Sequence, residues 1–225
     1  MKTAEGRALF LFFSLLTVFA SAVGGQTELK DDPVYNGKPL SAWIDELPSP
    51  LSRVTHTNRP DVQAIRAIGT NAIPWLLRQL TASPWTPVEP NNIANYIHQN
   101  RARWGFWALG EIGTPAIPSL VTLIEQQPDA VPSALAGIGA PALPAIEGCL
   151  TNVTGDLSLD SPKAHSVASA LGGLFVAIDA GRISTNRAAY LLPAIRFWTR
   201  SDNHTVAYWA RGVSEKLSPE SRTHD

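Results

Sequence analysis

The 225 residues suffice for one ordinary domain or one short repeat array, and an apolar content of 44% is enough to build a core. Eighteen basic against nineteen acidic side chains leave a formal charge of -1, which excludes a general electrostatic pull toward nucleic acid or anionic membrane. The lone cysteine, Cys149, has no internal disulfide partner, and the five histidines show no metal-ligand spacing, so a disulfide scaffold and a zinc finger are both excluded.

At the N-terminus, Lys2 and Arg7 precede the apolar run Ala8 to Ala20, and Ala20-Ser21-Ala22 offers a small-x-small cleavage site. This predicts a signal peptide over residues 1–22, cleaved after Ala22, and a periplasmic or secreted chain. The run is closer to a signal core than to the roughly 20 residues of a membrane span. Membrane contact is therefore expected only if the segment stays uncleaved as an anchor. No cysteine near the site supplies a lipid attachment point. Loss of Lys2, Glu5 and Arg7 leaves 16 basic and 18 acidic side chains, a mature charge of -2. Residues 23–58 read as a lead-in with one short helix, within Tyr35 to Leu47.

Next comes a repeat over residues 59–217. Ala64 to Leu76 (AIRAIGTNAIPWL) recurs as Ala108 to Leu120 (ALGEIGTPAIPSL) and again as Ala134 to Ile146 (ALAGIGAPALPAI). The order is apolar helix end, Ile-Gly, a two-residue turn, Ala-apolar-Pro, apolar helix. Gly69, Gly113 and Gly139 are expected to take the left-handed conformation that closes a helix. Pro115 and Pro141 suit the start of the next helix, and Pro74, Pro118 and Pro144 fall in its first turn, where a missing N–H costs little.

Helical spacing marks Val62, Ile65 and Ile68 as the buried stripe of the first helix, and Ile73, Leu76, Leu77 and Leu80 as that of the second. In the next unit the stripes are Ile93, Ile97, Trp104, Ala108 and Ile112, then Ile117, Leu120, Val121 and Ile124. The insertion Thr81 to Asn92, with three prolines, predicts a projecting loop. Cys149, beside Leu143, Ile146 and Leu150, reads as a small buried hydrophobe. A degenerate fourth unit follows the loop Thr151 to Ser161, with Val167, Leu171, Leu174 and Ile178 on its first helix and Leu192 to Trp198 as its second. Thr205 to Leu217 is a final helix capping the stack, and residues 218–225 form a tail. No segment reads convincingly as a strand. The prediction is an all-α chain, an α-solenoid of about four stacked antiparallel helix pairs.

The Ala-apolar-x-x-Ile-Gly-x-x-Ala-apolar-Pro-x-apolar pattern resembles HEAT repeats, in particular the short bacterial type called phycobilisome-lyase HEAT-like. Gly37-Lys38-Pro39-Leu40-Ser41-Ala42-Trp43 resembles the lead-in of exported bacterial HEAT-repeat proteins. The resemblance implies a protein-binding scaffold. Enzymes of related architecture, the HEAT-like deoxyhypusine hydroxylases, carry His-Glu pairs on successive repeats to hold two irons. This sequence has no His-Glu dipeptide, and His56, His98, His165, His204 and His224 share no repeat position. Nothing marks a tetrapyrrole pocket, a phosphate loop or a nucleophile elbow. No catalytic residue, metal ligand or cofactor is assigned.

A protein or peptide partner is expected on the outward positions of the second helices. Trp75 lies about half a turn off the apolar stripe, beside Arg78, so it is either an exposed hot spot or a residue packed under the insertion. Glu125 takes a comparable place in the next unit. Trp85, inside the Pro-rich insertion, is either a docking anchor or a plug for the adjacent groove. Arg101, Arg103, Trp104 and Trp107 mix cations with aromatics on one helix, and packing with cation-π contact is the favoured reading. Partner binding is thus assigned to Trp75, Arg78, Trp85 and Glu125. The competing reading is an enzyme accessory or divergent lyase-like protein with a small-molecule pocket on a concave face.

Overall fold

The computed structural model describes residues 31–47, 58–86, 93–152, 158 and 161–218. Every described residue belongs to one unit, Asp31–Asp225. The signal-peptide segment, the tail beyond Ser218, His56, His224 and the insertion over 87–92 lie outside the described residues.

The described chain opens with a feature absent from the periodicity reading. Strands β1 (Val34–Tyr35) and β2 (Lys38–Pro39) pair antiparallel across Asn36-Gly37. Both turn residues have positive φ, 51° and 76°, as the type I′ turn of a two-residue hairpin demands. Two residues per strand are too few for alternation to register in a sequence, which corrects the all-helical expectation locally. Helix α1 (Leu40–Asp45) follows at once, with Leu40 and Ile44 fully buried against the first repeat. The Asp32 carboxylate accepts from Ser41 N at 3.3 Å, serving an orphan donor of the first turn. The Trp43 indole donates to the Tyr35 carbonyl at 3.3 Å, and the Lys38 ammonium sits 3.9 Å above its ring.

Beyond the lead-in the architecture is an α-solenoid of stacked helix pairs. First helices α2 (Pro60–Ile68), α4 (Ile93–Leu109), α6 (Ala130–Ile138) and α8 (Pro162–Asp179) alternate with second helices α3 (Ile73–Thr81), α5 (Ile117–Leu123), α7 (Leu143–Thr151) and α10 (Leu192–Trp198). A one-turn helix, α9 (Thr185–Ala188), leads into α10, and α11 (His204–Leu217) closes the series. Each first helix packs on the next, in the order α2, α4, α6, α8, α11. Helix α6 is buried at all nine of its positions, as an apolar-all-round sequence requires. Glycines set the approach: a Cβ on Gly137 of α6 would meet Trp107 of α4 at 2.7 Å, and one on Gly173 of α8 would meet Ala136 Cβ at 2.8 Å.

Every second helix begins the same way, with a short 3₁₀ segment and then apolar-Pro: Ile73-Pro74, Ile117-Pro118, Leu143-Pro144 and Leu192-Pro193. Gly69 (φ 63°, ψ -139°) and Gly139 (φ 99°, ψ -148°) turn the chain in a region open essentially to glycine alone, beyond the left-handed helical basin. In the second unit the positive φ falls on Gly110, not Gly113. Gly113 is instead a packing residue, since a Cβ there would lie 3.1 Å from Ile138 Cγ1.

The buried stripes are rotated from the sequence reading in the first two units. On α3 the buried set is Ile73, Trp75, Leu76, Gln79 and Leu80, with Leu77 only half-buried. On α4, Ala102, Phe106, Trp107, Ala108 and Leu109 are buried, Trp104 is half-buried, and Ile97 is exposed. The side chain of Ile93 lies outside the described residues. The tighter 3₁₀ winding from Gly110 takes Ile112 out of phase and into solvent. On the short α5 only Leu120 is fully covered, and Val121 is exposed. The fourth unit follows its sequence pattern, with Val167, Leu171, Leu174 and Ile178 buried on α8. On α11, Val206, Ala210, Val213 and Leu217 face inward, while Thr205, Tyr208, Arg211 and Glu215 face solvent, an outer side that is polar apart from the Tyr208 ring.

Candidate interaction surface

The repeat places equivalent residues of the second helices on one side, exposed in every unit at the entry proline and seven residues on, and in between exposed on α5 and α10 but half-buried on α3 and α7. The entry prolines Pro74, Pro118, Pro144 and Pro193 are all solvent-exposed. Three, four and seven residues later come Leu77, Arg78 and Thr81 on α3, and Val121 and Thr122 on α5 with Glu125 in the turn just beyond it. The corresponding sets are Glu147, Gly148 and Thr151 on α7, and Arg196 and Phe197 on α10 with Arg200 in the turn just beyond it. These offsets lie on one side of a helix, opposite the residues packed inward. Two of the large hydrophobics left exposed fall in these rows, Val121 at 44% and Phe197 at 71%, and Tyr190, in the turn entering α10, is exposed at 49%. The Tyr190 hydroxyl is held above its ordinary pKa by burial and then by the charge of Glu147, which ties the entry to α10 to the face of α7.

The four assigned residues fare differently. Trp75 is only 2% exposed, so its placement on the open face is corrected: the largest apolar surface on α3 turns inward in place of Leu77. Arg78 is half-buried, and its Nη2 donates to the Asp31 carbonyl at 3.4 Å, toward the start of the lead-in. Glu125 is exposed in the turn just after α5.

Trp85 folds back onto the stack. Its indole donates to Asp129 Oδ2 at 2.8 Å, and its ring stands edge-on to His165 at 5.2 Å between centroids. Asp129 Oδ1 is 2.9 Å from His165 Nδ1, so one carboxylate joins the insertion, the entry of α6 and the start of α8. Gln127, buried beside this pair, donates to the Ser83 carbonyl at 2.8 Å and accepts from Gln99 at 2.9 Å. The described part of the insertion is therefore a clasp across two first helices, and the plug reading of Trp85 is the one its contacts match. The signal in the sequence was the Asp129 and His165 pair, invisible without knowing that residues 85, 129 and 165 meet.

Two further polar features have structural explanations. Arg66 Nε donates to the Ala108 carbonyl at 2.9 Å, and Arg182 Nη1 to the Gly137 carbonyl at 3.0 Å, each serving the C-terminal end of a neighbouring first helix. Arg182 also lies over the Trp107 ring at 5.3 Å, and burial, then the charge of Arg66, lower its pKa to about 10. Cys149 is buried, with its thiol pushed up to about 11 by desolvation, partly opposed by a hydrogen bond with Ser166. Such a thiol is a packing group with little thiolate to offer.

Among the described residues, no cluster of three or more His, Cys, Asp and Glu side chains could hold a metal ion. Nor is any described helix long and apolar enough to cross a membrane. No family model, curated protein or solved structure matches the chain. What fold and surface define is a class, a helical repeat scaffold whose architecture is compatible with protein–protein interaction.

Proposed function

We propose that the chain is an exported HEAT-like scaffold that holds a protein or peptide partner in the cell envelope, on the open face of its second helices. One observation carries the reading: in all four repeats the entry proline of the second helix and the residue seven positions on are exposed, and between those rows α5 and α10 set Val121 and Phe197 in water. Apolar side chains left exposed on neighbouring rows of one face serve recognition better than they serve folding. Export is supported by the signal-like residues 1–22, and the short bacterial type by the recurring Ile-Gly-x-x-Ala-apolar-Pro turn. The exported-type lead-in is supported by the way Gly37 to Trp43 builds a hairpin and helix that cover the first repeat.

Cross-linking of the tagged full-length chain in its own envelope, with mass spectrometry of what is captured, tests the reading. A discrete protein captured by the wild type and lost in Val121→Glu/Phe197→Glu is the expected result. Capture of no protein, with a stoichiometric small ligand instead, would overturn it. Sequencing the N-terminus of the mature chain tests export, with Val23 as the expected first residue.

A further inference from the structure

The near-neutral charge of the whole chain conceals a local excess. From Arg182 to Arg211 there are five arginines (Arg182, Arg187, Arg196, Arg200, Arg211) and one acidic residue, Asp202, so the rest of the chain holds 13 basic and 18 acidic side chains. Arg187, Tyr190, Pro193, Phe197 and Arg200 recur at helical intervals along the run from α9 through the 3₁₀ turn to α10, and all five are exposed, as is Arg196. Arg211 of α11 reaches the same end, its Nε donating to the Thr199 carbonyl at 3.3 Å. Four cations elsewhere are matched at home: Lys38 with Glu46, Arg59 with Asp61, Arg101 with Asp45 and Lys216 with Asp179. Arg187, Arg196 and Arg200 make no ion pair among the described residues. The equivalent rows on α3, α5 and α7 carry no such set of cations and aromatics.

We infer that this face of α9 and α10 docks a short acidic segment of a partner protein that also carries apolar or aromatic side chains. Guanidinium groups meet carboxylates in bidentate geometry, and Phe197, Tyr190 and Pro193 between them offer an apolar strip for the intervening side chains. The size of the patch selects the class of partner. Arg187 to Arg200 spans roughly 20 Å of helix, the length of about six extended residues. Glu147 on α7 lies beside the patch, and the remainder of the chain carries a net acidic charge, which disfavours a longer polyanion such as a nucleic acid or a bilayer. This inference rests on the scaffold reading above and adds the site and the chemistry of its occupant.

The test uses fluorescence anisotropy of the full chain with a labelled synthetic peptide alternating glutamate with phenylalanine and leucine. The control peptide replaces each glutamate by lysine. Anionic phosphatidylglycerol vesicles and single-stranded DNA serve as competitors. The expected result is binding of the acidic peptide alone, weakened by salt, and reduced about tenfold or more in Arg196→Glu/Arg200→Glu and severalfold in Phe197→Ser. These side chains are exposed, so circular dichroism of the variants is expected to match the wild type. Equal binding of the two peptides, undiminished binding in the arginine variant, or preferential binding of vesicles or DNA would each overturn the assignment. Envelope capture that persists in Arg196→Glu/Arg200→Glu but is lost in Val121→Glu would overturn this docking site while leaving the scaffold reading intact. Capture of no protein by the wild type would remove both.

Discussion

The crossing of α4 and α6 gives the sharpest quantitative expectation. In Gly137→Ala the new methyl would lie 2.7 Å from Trp107 Cδ1 and Cγ and 3.0 Å from its Cα. The indole can turn aside, but the backbone atom cannot, so the two helices must separate. Overpacking of this kind costs about 1–3 kcal/mol, and the higher helix propensity of alanine returns about 1 kcal/mol. A net destabilisation of up to about 2 kcal/mol follows. Gly148→Ala on α7 is the matched control, because its Cβ would find only Asn152 Nδ2, at 3.6 Å, leaving the propensity gain of up to about 1 kcal/mol. Urea unfolding followed by circular dichroism reads the difference, expected as a midpoint separation on the order of 1 M between the two variants at unchanged slope. A falling slope in Gly137→Ala alone would mean that the helix pairs have begun to unfold separately, which the same crossing explains. If Gly137→Ala matched or exceeded Gly148→Ala in stability, the close approach of α4 to α6 would be refuted.

Three further outcomes are expected. His98, whose Nδ1 lies 2.7 Å from Gln79 Oε1, has its pKa lowered from 6.5 by burial and then by the charge of Arg101. The unfolded chain therefore binds the proton first, so stability falls as pH drops from about 6.5 toward the lower folded value, and the wild-type urea midpoint should fall more steeply there than that of His98→Gln. Cys149 titrates near 11 when folded against 9.0 as its ordinary value, so its contribution is fully present below pH 9 and is lost as pH rises toward 11. Thiol reagents at neutral pH should label it only at the rate of unfolding, and rapid labelling of the native chain would refute its burial. Trp85→Phe keeps a ring against His165 but removes the donor to Asp129, which should cost about 1 kcal/mol and raise amide exchange across residues 82–86. Unchanged exchange there would show that the clasp does not depend on that bond.

The repeat was legible because its turn is local: Ile-Gly, a short spacer and Ala-apolar-Pro specify a helix end and a helix start within a dozen residues. Helix α11 was legible for a related reason, since it ends the stack with one inward face to bury. Sequence reasoning went astray where a helix has neighbours on more than one side. Helix α3 hides both Trp75 and Gln79, and α4 hides Trp107 against a glycine of α6, so the buried arc is wider than a single stripe and its centre is set by partners distant in sequence. The lead-in hairpin was missed because two-residue strands carry no period, although Asn36-Gly37 was a turn signal in plain view. On the interaction face, Glu125 followed from its place in the repeat alone, whereas Trp85 needed a contact spanning 44 residues. Phe197 and its arginines were overlooked because the charge was averaged over the whole chain.

Helix α6, with no side chain left for solvent, has a consequence for how the molecule can be divided. Both neighbouring first helices, α4 and α8, rest on it, so a cut on either side bares an apolar surface with nothing of its own to cover it. Fragments ending before or after Ala130–Ile138 should therefore associate with one another, or aggregate, in preference to folding alone. Two separately expressed halves that meet at this helix should reassemble into a complemented whole.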